Sequence, residues 1–136
     1  MDWLPASHGG VLPYWLLLTS AASVFNTIGC YTSTAVGRRT YQGPASAAEA
    51  TALSARLFGT WTLLAAVVRT YAAYSITDTG IYAGALFTYV LALAHFTSEW
   101  LVYKTTSFAK GLATPFAVAT LTTGWMLAQS GYYTAV

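Results

Sequence analysis

The stretch LPYWLLLTSAASVFNTIGCYTST, residues 12–34, contains no charged side chain, and none lies anywhere between Asp2 and Arg38. About 20 such residues wound as a helix cross ~30 Å of hydrocarbon. The segment before it holds Asp2 and His8 but no Lys or Arg, whereas a secretory signal opens on basic residues. The stretch is therefore expected to stay in the protein as a first span.

The rest of the chain has the same character. Of its 136 residues, 56% are hydrophobic and 7% charged, far below the roughly 25% charged usage of soluble domains. So few charges cannot cover a water-facing surface without leaving large apolar patches, and a bilayer removes that difficulty. A formal charge of +2, with its Lys and Arg scattered, does not support counterion-release binding to nucleic acid. The one cysteine, Cys30, has no partner in the chain for a disulfide or a CxxC site and is expected to pack as a small hydrophobe.

The remaining charges punctuate three more spans, about 53–74, 81–103 and 112–132. With the first, about 12–34, they make an all-α membrane protein, a single domain over 1–136 with four transmembrane helices in an antiparallel bundle. Gly37, Gly43 and Pro44 mark the longest connection. A capping-box pattern, Ser46-Ala47-Ala48-Glu49, predicts that helix two starts there, ahead of its span. Asp78 or Thr79 is placed to cap helix three. The short links 75–80 and 104–111 force hairpins, and Pro115 falls in the first turn of helix four, where proline is tolerated. Gly80-Ile81-Tyr82-Ala83-Gly84 fits GxxxG, and Gly124 with Ala128 is its small-residue analogue, either of which would let helices approach closely. Trp3, Trp15, Trp61, Trp100 and Trp125 read as interfacial or packing residues.

Arg38, Arg39, Arg56, Lys104 and Lys110 fall on one side of this topology. The positive-inside rule makes both basic loops cytosolic and puts the termini across the membrane. Arg38, Arg39, Lys104 and Lys110 are then candidate contacts for acidic surfaces on the cytosolic face.

An ionisable residue inside a span needs a partner, a water-filled cavity or a route to the interface. Folding helices two and three about Asp78 sets Arg56 level with residue 100. Arg56 and Glu99 are therefore expected to pair, with His95 one turn deeper on the Glu99 face. The arrangement reads either as a structural clamp or as a polar relay and partner-docking cluster. Arg69 lies on a largely different face and is expected to snorkel. Asn26 is a candidate interhelical donor, and Trp61 completes the cluster.

Catalytic equipment is scarce. Two histidines, His8 and His95, and one nearby carboxylate cannot assemble the three or more ligands of a zinc or iron enzyme. There is no GxGxxG after a strand, no Walker A sequence and no GxSxG elbow. The sequence therefore predicts a protein that is not an enzyme and needs no cofactor or metal.

Four stretches carry a specific likeness: LPYWLLLTSAASVFNTIGCY (12–31), LSARLFGTWTLLAAVVR (53–69), LALAHFTSEWLVY (91–103) and YYT (132–134). They resemble the ergosterol biosynthetic protein 28 family, particularly its fungal members. The most distinctive parts are Ala55-Arg56 with Phe58-Gly59 and Trp61-Thr62, and His95-Phe96 with Ser98-Glu99. The resemblance implies a non-catalytic scaffold of the endoplasmic reticulum membrane. Its implied partners are the C-4 methyl sterol oxidase, the sterol C-4 decarboxylase/dehydrogenase and the 3-keto reductase, with membrane lipids around it. The ending Ala135-Val136 departs from some relatives in carrying no dilysine-type retrieval signal, so residence there would depend on partners. A second copy of the chain is a further candidate partner, and a small four-helix transporter working through Glu99 and a sterol- or lipid-binding membrane protein are the alternative readings.

Overall fold

A computed structural model describes residues 3–134; Asp2 and the Ala135-Val136 ending lie outside them. The described residues fold as helices joined by turns. In chain order these are α1 Leu12–Thr32, α2 Thr34–Thr40, α3 Ser46–Glu49, α4 Ala52–Tyr74, α5 Thr79–Leu101, α6 Ala113–Ala128 and α7 Ser130–Thr134, with a π-turn at Phe108–Leu112 before α6. The four long helices coincide with the four uncharged or sparsely charged stretches.

The helices end where local chemistry ends them. Ser33 is extended, at φ −151° and ψ 124°, and separates α1 from α2. Asp78 accepts a hydrogen bond from the Ile81 amide at 2.9 Å and so caps α5, as expected. The Ser46-x-x-Glu49 pattern does not open α4. It forms only the single turn α3, in which Ser46 Oγ bonds back to the Gly43 carbonyl. The working box is Thr51-x-x-Ser54, each side chain bonding the other's amide, at 3.1 and 2.8 Å. Thr51 prevails because Ala50 and Thr51 have left helical geometry before α4 begins.

Successive long helices run antiparallel. Thr27 on α1 donates to the Gly59 carbonyl on α4 at 2.9 Å, and Asn26 donates to Thr62 at 3.2 Å, as the sequence suggested. Phe58 meets Phe96 across α4 and α5. Tyr82 on α5 donates to the Met126 carbonyl of α6 at 2.5 Å. Trp15 on α1 closes the bundle by donating to Thr122 on α6 at 2.8 Å.

The close helix contact lies at neither small-residue motif. A Cβ at Gly84 would touch Val68 at an ordinary 3.8 Å, and one at Gly124 would meet nothing within 4 Å. Gly59 is the tight point: a Cβ there would lie 3.0 Å from that of Cys30 and 3.3 Å from the Tyr31 ring. Cys30 packs beside Ala55 and Phe58 as a small hydrophobe.

The molecule is apolar outside and partly polar inside. Leu18, Phe25, Leu57, Leu64, Phe87 and Leu121 are exposed, while Thr19, Ser20, Thr27, Arg69 and Thr122 are buried. Among the described residues, by length and composition only α5 is long and apolar enough to cross a membrane, which corrects the expectation that all four helices meet that standard. Thr, Ser and Asn dilute α1, two arginines dilute α4, and α6 has 16 residues, ~24 Å at 1.5 Å per residue.

Candidate functional site

The two connecting loops interlock at one end of the bundle. Gly43 and Ala45 amides donate to the Thr105 and Lys104 carbonyls, both at 2.9 Å. A side chain at Gly43 would run into that Lys104–Thr106 backbone. Gly111, at φ 101°, lies against the Arg39 carbonyl, where only glycine has both the room and the backbone freedom. The four exposed cations Arg38, Arg39, Lys104 and Lys110 thus gather at this end, and Arg38 Nε also donates to the Ala50 carbonyl at 2.8 Å.

Beneath the loops is a hollow of about 430 Å³, and Tyr41, Trp61, His95, Glu99 and Thr105 are among its walls. Tyr41 descends from the loop into an aromatic nest, 5.2 Å from the Phe58 ring and edge-on to it. Its hydroxyl shares a 2.7 Å hydrogen bond with His95 Nε2. Trp61 stands edge-on to His95 at 5.0 Å. Burial, then the nearby Glu99 charge, then Cys30 push the Tyr41 phenol well above its ordinary range. Tyr41 is therefore a neutral hydrogen-bonding wedge.

Glu99 and Arg56 do not pair. Glu99 accepts from Thr105 Oγ1 at 2.6 Å, while Arg56 is exposed on the outside of α4. The axial levels follow the expected register, since Trp61 does meet His95, but the azimuth does not. Arg56 lies two residues, ~200° of helix, from the Phe58 that faces α5. Of the candidate cluster, His95, Glu99 and Trp61 converge; Arg56 does not join them.

Arg69 does not snorkel either. It is 7% exposed. Nε donates to Thr88 at 2.9 Å, Nη1 to Ser23 at 3.3 Å, and the guanidinium lies 3.8 Å from the centre of the Tyr89 ring. Tyr89 in turn shares a 2.5 Å bond with Thr19. Together with Asn26 and Trp61, Arg69 borders a second cavity of about 290 Å³ between the long helices. Thr19, Ser23 and Asn26 had a legible signal, a polar stripe at i, i+4 and i+7 on one face of α1. Tyr89 and Tyr41 had none, being tyrosines among ten.

Among the described residues no three His, Cys, Asp or Glu side chains come together as a metal site. The family model described as "Erg28 like protein" matches residues 12–124. The ergosterol biosynthetic protein 28 of Candida albicans is 41% identical over 130 residues, covering 96% of this chain and 93% of its own. That of Saccharomyces cerevisiae is 41% identical over 134 residues, covering 98% and 89%. The Homo sapiens homolog is 35% identical over 123 residues, covering 90% and 86%. No solved structure matches the chain.

Proposed function

The chain belongs to the Erg28-like family, and we propose that it works in ergosterol biosynthesis as a non-catalytic membrane tether for the enzymes that remove the sterol C-4 methyl groups. These are the C-4 methyl sterol oxidase, the C-4 decarboxylase/dehydrogenase and the 3-keto reductase. The observation carrying the reading is the inside-out surface: large apolar side chains cover the exterior of all four long helices while hydroxyls and Arg69 are turned inward. Such a body suits hydrocarbon on its flanks and partner helices against them.

In this reading α1, α4, α5 and α6 all cross the membrane of the endoplasmic reticulum. The shorter α6 is accommodated by local thinning or by a neighbouring helix, at fractions of a kcal/mol per Å of mismatch. The interlocked loops with Arg38, Arg39, Lys104 and Lys110 face the cytosol, where catalytic domains would meet them, and the termini are lumenal. Tethering acts by effective concentration, handing an apolar intermediate from one enzyme to the next before it disperses in the bilayer. Glu99 lies two residues from the end of α5, beside Thr105, whereas an exchanging carboxylate in a transporter belongs near the midplane. This position favours the tether.

The test is purification in a gentle detergent with identification of co-purifying proteins. The expected result is recovery of the C-4 methyl oxidase and decarboxylase with the chain. A clean homodimer free of sterol enzymes would sink the proposal. Reversing the charges of Arg38, Arg39, Lys104 and Lys110 together is expected to release the partners while the fold, read by helical circular dichroism, persists.

A further inference from the structure

The cavity among the long helices is built unequally along its length. Arg69, Tyr89, Thr19 and Ser23 form a polar cluster in its wall; beyond them Phe58, Trp61, Ala65, Ala92 and Phe96 give an apolar wall, interrupted by the Asn26 amide and the hydroxyls of Thr40, Thr62 and Thr114. From Arg69 to Phe58 is 11 residues of α4, about 16 Å. The lining residues left most exposed are Ala22 on α1 and Thr114 on α6. They put the mouth between those two helices, facing the surrounding hydrocarbon.

Arg69 is the unusual wall. A guanidinium stays charged and carries five N–H donors, of which the protein engages two, through Thr88 and Ser23. Among the described residues no carboxylate faces it; Asp78 is exposed at the turn, and Glu49 and Glu99 belong to the opposite end. Its third neighbour, the Tyr89 ring, offers a cation–π contact but no acceptor. A buried cation with free donors, in the wall of a cavity that also presents Phe58, Trp61 and Phe96 and whose mouth faces lipid, is complementary to one kind of molecule: an apolar body ending in an anion that accepts two parallel N–H bonds.

We infer that this cavity binds a sterol carboxylate, its acid group on Arg69 and its rings along the aromatic wall. The flat rings of Phe58, Trp61 and Phe96 and the small residues Ala65 and Ala92 shape the space for a rigid slab. At about 290 Å³ it is at the low end of small-molecule sites, ~300–1,000 Å³, so the ring system is held and the alkyl tail emerges between α1 and α6. The identity of the acid rests on the tether reading: a methyl group removed by an oxidase and then a decarboxylase leaves as carbon dioxide, so what passes between them carries a carboxylate. The chain would then hold the intermediate itself as well as the enzymes.

The experiment uses the full chain in phosphatidylcholine nanodiscs, with no partner enzyme present. Its probes are a tritiated 4-carboxysterol, the methyl ester of that sterol, and oleic acid. The acid is expected to bind about 10- to 100-fold tighter than its ester, the span of a charge-assisted pair, and tighter than oleate. Arg69→Gln should bring the acid to the level of the ester. Ala22→Phe, at the exposed mouth beside Ser23, should weaken acid and ester alike by blocking entry. Equal binding of acid and ester to the unaltered chain overturns the inference, and so does oleate binding as tightly as the carboxysterol. Neither result touches co-purification of the enzymes, so failure here and failure of the tether are told apart.

Discussion

Arg56 and Gly59 are three residues apart on α4 and differ sharply in what they can tolerate. Arg56 is exposed and carries none of the packing, so Arg56→Ala is expected to leave the thermal midpoint in detergent within ~0.5 kcal/mol of the starting protein. Gly59 touches Cys30 and Tyr31. Gly59→Leu forces α1 and α4 apart and is expected to cost ~1–3 kcal/mol or more, read as a fall in the same midpoint. Tyr41 makes a different prediction. Its folded pKa lies above the ordinary value. When pH rises past ~10 the unfolded chain releases this proton and the folded chain keeps it, so stability falls with further increase. Subtracting the alkaline ultraviolet titration of Tyr41→Phe from that of the unaltered chain should show no tyrosinate signal at pH ~10. A full signal there would mean that the nest around Tyr41 is open to water.

At the scale of elements, the four long helices were legible because charges are rare and, Arg69 apart, fall near their ends or in the links between them. Their levels were legible too, since a short turn at Asp78 fixes which residues of α4 and α5 stand side by side, and Trp61 does meet His95. Azimuth was not. In a helix apolar on every side no periodic signal separates the inner face from the outer, so the sequence pairs Arg56 with Glu99 and lets Arg69 snorkel, whereas Arg56 is exposed and Arg69 buried. The clamp between the loops was illegible for another reason: it is made of backbone groups, which every sequence has. Two glycines carry it. Gly43→Ala and Gly111→Ala should each lower the thermal midpoint, by ~1 kcal/mol or more. Both should also expose the 41–51 and 102–112 segments to protease while the long helices stay protected. Uniform loss of protection would mean that the clamp and the bundle are one cooperative unit.

At the scale of the whole molecule, the bundle is tied at both ends. Opposite the clamp, Tyr133 is buried against Gly10 and Tyr82 and accepts from the Leu12 amide, while Tyr132 donates to the His8 carbonyl at 2.8 Å. Tyr133→Ala is expected to cost ~3 kcal/mol, as for a large buried aromatic. It should free the residues before α1 for cleavage by protease added to the detergent-solubilised chain.

These end contacts join residues 121 and 124 positions apart in the chain, and Trp15 reaches Thr122 across 107. During synthesis α1 acquires α4 early but must wait for Thr122, 107 residues after Trp15, before its other flank is covered. Until then the Arg69 cavity has no fourth wall. In the half-made protein, Arg69 and the α1, α4 and α5 faces around it wait uncovered for α6.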